Sequence, residues 1–303
     1  MTYGRSAGFV RFLAAGLVLA AVGERAAAAA EVPESQVTVE GHRQRLERRV
    51  HDFVVEITSG GPDASLQRWT GPICPLVAGL TAEQGEGVLR RVTQMASKAG
   101  AKLAPAHCEP NLVIVVTPDP PALIEAWRSR TQGKIFNGAA PMTVRHFIET
   151  SQPVRVWYNT EVTSEDGARL SSPSLLAPVS GTTDPVPVNN QADDTRLALP
   201  ALTNLGSVIL IVDARSLQHL KVGQLADYVG MVGLGRLDTH AHTTDAPTIL
   251  NLFTSTDQES LPAGLTEWDE AYLHALYHTR MSSRMQRSEI TRSLVHELEK
   301  SEK

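Results

Sequence analysis

Asp238, His240, His242 and Asp245 lie within eight residues of one another and form the one stretch whose residue types could hold a metal. At H-x-H spacing the two imidazoles fall on one side of an extended chain. A zinc site also needs a third protein ligand and outer groups that fix the first ones. Asp238 and Asp245 are the carboxylates close enough in sequence to serve. The competing reading is two solvated histidines on a loop, and both stay open here. His296 and Glu297 imitate half of H-E-x-x-H, but Lys300 stands where the second His belongs, so that stretch reads as a surface helix. There is no G-x-S-x-G, no S-x-x-K and no Gly-rich phosphate loop. Asp227 and Asp238 are a conceivable acid pair, but a structural Asp227, paired with Arg236, is the preferred reading. Cys108 has His107 beside it. Adjacent residues rarely present both side chains to one substrate, so a thiol nucleophile is not expected.

The element that has to position this chemistry is residues 222–238, V-G-Q-L-A-D-Y-V-G-M-V-G-L-G-R-L-D. It follows an apolar run at 208–212, V-I-L-I-V, which reads as a buried strand. Leu225, Val229 and Val232 recur at helical spacing and form one apolar stripe. A second stripe, Ala226, Gly230 and Gly233, has almost no side chain. Two glycines inside a helix cost roughly 2 kcal/mol relative to alanine. Something must offset that cost, either close packing or the remains of an emptied active site.

A metzincin-type protease helix reads H-E-x-x-H-x-x-G-x-x-H, with two His one turn apart and the Glu as general base. Laid on this chain, its positions fall on Ala226, Asp227, Gly230, Gly233 and Arg236. The Gly is kept and the acid is kept in kind. Downstream come P-T-I-L-N-L-F at 247–253 and L-T-E-W-D-E-A-Y-L-H-A-L-Y at 265–277. Residues 208–285 thus resemble, in order and spacing, a group of secreted bacterial zincin-like proteins of unknown function with a degenerate H-E-x-x-H helix. In that group the helix leads through a GL-x-x-D turn and an S-I-F-N strand to an L-T-x-x-D-x-x-L-L-x-x-L-Y helix. The resemblance implies an α+β fold with a zincin-like mixed sheet packed against helices, a cleft beside an edge strand, and a lost metal centre without a cofactor.

Composition sets the compartment and limits the partners. The chain has 303 residues, 42% of them hydrophobic, which is ample for one sizeable core. Arg5 and Arg11 precede an 11-residue apolar core at 12–22, too short to span a membrane, and an alanine run follows at 26–30. Residues 1–30 therefore read as a signal peptide; an uncleaved anchor is the alternative. Cleavage would remove Arg5, Arg11, Arg25 and Glu24 and move the formal charge from −5 to about −7. A mildly acidic chain has no electrostatic footprint for nucleic acid, and no later apolar stretch is long enough for a transmembrane helix. In a periplasmic or secreted protein the two cysteines, Cys74 and Cys108, are expected to form a disulfide, with two buried thiols as the alternative.

Residues 31–58 read as a polar extended leader and an amphipathic helix at 42–57 with Leu46, Val50, Phe53 and Ile57 on one side. The main domain runs over 59–283. Residues 69–77 read as a strand interrupted by proline, Thr81 and Gln84 as a capping box, Gly100 as a helix stop, and 111–116 as a buried strand. Short helices are expected at 121–130 and 143–149 and a half-buried strand at 154–158. Residues 159–205 read as a loop-rich insertion with one hairpin, 197–202 as a short strand, and 284–303 as a charged helix. Thr266 and Asp269 form a second capping box. The function expected is a catalytically inactive domain that binds a peptide or an envelope protein. The alternatives are a metal-dependent hydrolase rebuilt on His240 and His242, and a structural envelope protein.

Overall fold

A computed structural model describes residues 34–58, 66–163, 202–254, 261–280 and 285–301, with side chains from Gly41 onward. The chain divides into two units, residues 1–41 and 42–303. In the first, only helical backbone is described; the sheet, the cores and the candidate sites all belong to the second. The segment read as a signal peptide and most of the segment read as an insertion lie outside the described residues.

Four strands make one mixed sheet. β1 (Pro75–Ala78), β2 (Leu112–Thr117) and β4 (Leu202–Asp213) are parallel, and β3 (Val154–Thr163) runs antiparallel at the edge, in the order β1-β2-β4-β3. The period-2 alternation of β4 sends its side chains to two different cores. Val208, Leu210 and Val212 enter a large core with α1 (Glu34–Ile57), α2 (Ala82–Ala99), α5 (Val222–Leu234), α6 (Glu267–His278) and α7 (Gln286–Ser301). Ile209 and Ile211 enter a small core with α3 (Pro120–Thr131) and α4 (Pro141–Glu149), where Phe136, Phe147 and Trp157 meet edge to face. Helices on both faces of the sheet explain the unbroken apolar runs at 112–116 of β2 and 208–212 of β4. The α+β class expected from sequence is the class observed.

Local chemistry sets the ends of the elements. Thr81 caps α2 by accepting from Gln84 N, and Gln84 returns the bond to the Thr81 backbone. Gly100 stops α2 at φ +89°, a conformation that glycine adopts without steric cost. In α6 the box is Thr266 with Asp269. Asp269 is fully buried and also accepts from Thr248 Oγ1 and from Ile249 N at 2.8 Å. Cys74 and Cys108 are bonded, with Cα atoms 6.0 Å apart, and the bond ties the start of β1 to the approach to β2.

Several boundaries differ from the sequence reading. Residues 34–40, read as extended, are helical and continue into α1. The strand expected over 69–77 is confined to Pro75–Ala78, and Trp69 and Ile73 make single bridges on either side of Pro72. The insertion read at 159–205 begins and ends as strand: 160–163 pair with 202–205, and the ladder, once begun at 154, continues past a bulge at Asn159. The resemblance put a strand near 247–253, but Ile249–Phe253 is a 3-10 turn. There Thr248 Oγ1 accepts from Leu250 N at 3.2 Å and Asp269 takes Ile249 N, so the backbone curls instead of pairing.

Candidate functional site

The bare stripe of α5 is packed solid. A Cβ on Gly230 would lie 2.5 Å from Met95 Sδ and 2.7 Å from its Cε, and one on Gly233 would lie 3.1 Å from Leu112 Cδ1. Ala226 is buried beside them. The stripe therefore faces α2 and the sheet, and close approach of these neighbours offsets the weak helix propensity of glycine. Asp227 is buried as well. It forms an ion pair with Arg91 of α2, and its Oδ2 accepts from Leu265 N at 2.8 Å, just before α6. Asp227 is thus a structural residue, but its partner is Arg91 rather than Arg236. Arg236 lies beyond the end of α5, after the extended Gly235, and its guanidinium turns to Gln67 and the Tyr158 ring.

The histidine pair separates in the same way. His240 N donates to Asp238 Oδ1 at 2.9 Å, its Nδ1 is 3.4 Å from the same oxygen, and its Nε2 meets the Gln152 side-chain amide. His242 Nδ1 instead meets Thr254 Oγ1 at 3.0 Å. Asp245 is placed through its backbone, whose carbonyl accepts from Arg49 Nε at 3.0 Å. Among the described residues no three His, Cys, Asp or Glu side chains come together as a metal would need. His296 and Glu297 lie on α7, and Glu297 pairs with Lys300 at 3.1 Å on its surface.

A cleft of about 420 Å³ lies instead along β3. One wall is α4 and the turn after it, with Thr143, His146, Phe147 and Gln152. The other wall is Arg236, Thr239 and His240, in the stretch that leaves α5. That wall is anchored by backbone bonds, Arg236 N to Gln67 O at 3.0 Å and Asp238 N to Ile57 O at 2.9 Å. Between the walls lie Arg155, Val156, Trp157 and Tyr158 of β3. Trp157 belongs to the small core and Tyr158 packs against the large one, so the cleft straddles the edge of the sheet. Tyr158 is fixed by its hydroxyl, which donates to Val232 O at 2.9 Å; burial pushes its pKa up and keeps it a donor.

The backbone of β3 is open on the cleft side. Asp213 N donates to Pro153 O at 2.9 Å, so the carbonyl of 153 points to β4. Antiparallel alternation then directs the N–H and C=O of Val156 and Tyr158 away from β4. Neither residue's backbone has a bond to another segment among the described residues.

Two arginines line the cleft, and the nearest acid, Asp238, stands behind the His240 wall, 3.4 Å from His240 Nδ1. Arg155 is buried, with 5% of its surface exposed. Its Nε donates to Thr150 O at 2.9 Å and its Nη1 to Gln152 O at 3.3 Å. Among the described residues no carboxylate forms an ion pair with it. The acid whose field reaches it, Asp213, is gripped by Arg215 at 2.7 Å. Burial lowers the pKa of Arg155 from the ordinary arginine value, and Asp213 opposes that shift. Arg236 lies 5.9 Å from the Tyr158 ring and donates from Nη1 to Gln67 Oε1 at 3.1 Å, a neutral acceptor. No acidic residue lines the cleft among the described residues. A larger hollow of about 770 Å³ between α3 and α4 has balanced charges, Glu125 and Glu149 against Arg128 and Arg145, and Glu125 already pairs with Arg128.

Sequence reasoning found one wall through Arg236 and His240 and missed the other. The signal for Arg155 was present, a charged residue inside the apolar alternation V-R-V-W-Y. Arginine is rarely fully buried unless paired. Compared with protein-family models, with curated proteins and with solved structures, the chain finds no match.

Proposed function

We propose that this chain is an exported, catalytically silent zincin-like domain that binds an extended peptide segment along β3. The observation that carries the reading is the cleft itself: an edge strand with outward-facing backbone groups, walled by α4 on one face of the sheet and by residues 236–240 on the other. An added strand would gain main-chain hydrogen bonds from Val156 and Tyr158 and seat alternate side chains against the two walls. The zincin-like part draws support from the mixed sheet with an antiparallel edge strand and from α5 following β4. Catalytic silence draws support from the motif positions. Ala226 and Gly230 have no donor atom, and Arg236 is a cation. Export draws support from the apolar segment at 12–22 and from the Cys74–Cys108 bond, which suits an oxidising compartment.

A random peptide-display library panned on the protein tests the reading, with Val156→Pro as the control. Proline at 156 removes an outward N–H and leaves the ladder to β4 in place. Peptides enriched on the wild-type protein should lose binding to a Val156→Pro variant that melts at a similar temperature. Enrichment of the same peptides on both proteins, or on neither, contradicts the reading.

A further inference from the structure

Among the described residues, two arginines and no acid line the β3 cleft, and this selects among peptides. We propose that the segment bound along β3 is acidic, with carboxylates seated against Arg155 on the α4 wall and Arg236 on the opposite wall; this rests on the reading of the cleft as a peptide site. A guanidinium has five N–H groups, and Arg155 spends two on the carbonyls of Thr150 and Gln152. The remaining three have no partner among the described residues, in a side chain that is almost wholly buried. Asp213 acts on Arg155 only from a distance, and an arriving carboxylate would supply the direct, bidentate, charge-assisted contact that the guanidinium lacks among the described residues. Arg236 is spread over the Tyr158 ring, with one N–H on a neutral amide. The chain as a whole carries a formal charge of −5, so a cationic cleft opposes its general field and marks a local preference. Arg155 and Tyr158 are three residues apart and so lie on opposite faces of β3. A strand laid beside them meets both arginines when its own acidic residues are three apart.

Three eight-residue peptides of threonine and valine test this by fluorescence anisotropy on the full chain. The first has two glutamates three apart and blocked ends. The second has glutamines in those places. The third is the glutamine peptide with a free C-terminal carboxylate. The glutamate peptide should bind about tenfold or more tighter than the blocked glutamine peptide, and the preference should shrink with added salt. The third peptide separates a side-chain carboxylate from a terminal one: tight binding by it alone assigns the site to a chain end and overturns the side-chain preference. Arg236→Gln should abolish most of the preference, and Arg155→Lys should weaken it, both at a melting temperature close to wild type. Equal binding of all three overturns the acidic preference and leaves peptide binding standing. Binding of none overturns both. Self-association at the concentrations used, lost in Arg236→Gln, would give the cleft to a second copy of the chain and overturn the proposal as well.

Discussion

Helix α5 and the β3 cleft are joined by a few residues of chain and differ in every physical respect. In α5, the positions where a zinc-protease helix has its ligands are occupied by Ala226 and Gly230, and Met95 sits where a side chain would go. The acid of that helix, Asp227, is buried and held by Arg91 and by Leu265 N. In the cleft the inventory is reversed: two guanidiniums, outward-facing strand amides and, among the described residues, no acid. Positions whose hydrogen bonds and van der Waals contacts are fully met by neighbours build a scaffold. Positions whose bonding capacity exceeds what the fold supplies are available to a ligand. By that criterion α5 is scaffold and the cleft is the working surface.

Substitutions should reveal the contrast as an ordered series of effects. The largest belongs to the double change Ala226→His with Gly230→His. It forces one imidazole against Met95 and Val92 at 230 and buries a second at 226, and should cost at least about 3 kcal/mol, or prevent folding, because overpacking and burial of polar rings add together. Denaturant unfolding measures it. A variant as stable as wild type that takes up one zinc per chain would show the α5 face to be an open site. Asp227→Ala comes next, at about 2–3 kcal/mol, because it strands the half-buried Leu265 N–H and removes the partner of Arg91. By contrast, Arg236→Ala should change stability by less than about 0.5 kcal/mol, since its side chain is exposed and, among the described residues, holds Gln67 and the Tyr158 ring. If Arg236→Ala costs as much as Asp227→Ala, the division between scaffold and surface fails.

The smallest effect is a pH dependence that belongs to neither region. The pKa of His274 on α6 is lowered from its ordinary value of 6.5, first by burial and then by the neighbouring His278 ring. A base with a depressed folded pKa contributes stability above its unfolded pKa and loses it as the pH falls through that value toward the folded one. The melting temperature should therefore decline slightly below pH 6.5, and His274→Gln should flatten the decline.

What the sequence revealed and what it hid have separate causes. Capping boxes are local, so Thr81 with Gln84 and Thr266 with Asp269 could be read directly and their helices placed. The stripes Val88, Val92, Met95 and Ile290, Leu294, Leu298 are periodic, and all six residues are buried. The disulfide followed from an even pair of cysteines behind a segment that reads as an export signal. The bare stripe of α5 was visible too, but sequence could not say whether it faced a cleft or a neighbouring helix. That depends on Met95, 135 residues away in the chain. The same limit applied to Asp227, whose real partner is Arg91 rather than the sequence neighbour Arg236. It applied equally to the cleft, whose walls come from 139–152 and 236–240 and meet only because β3 takes the antiparallel edge.

Hydrogen exchange by mass spectrometry, on the protein alone and saturated with the glutamate peptide, tests the central claim most directly. An amide covered by an added strand exchanges slowly, whereas a scaffold helix that is already packed has little protection to gain. The account predicts new protection at 154–158 and 236–240 and none at 222–234. Protection centred on 222–234, or unchanged exchange at 154–158 with the peptide present, would contradict it.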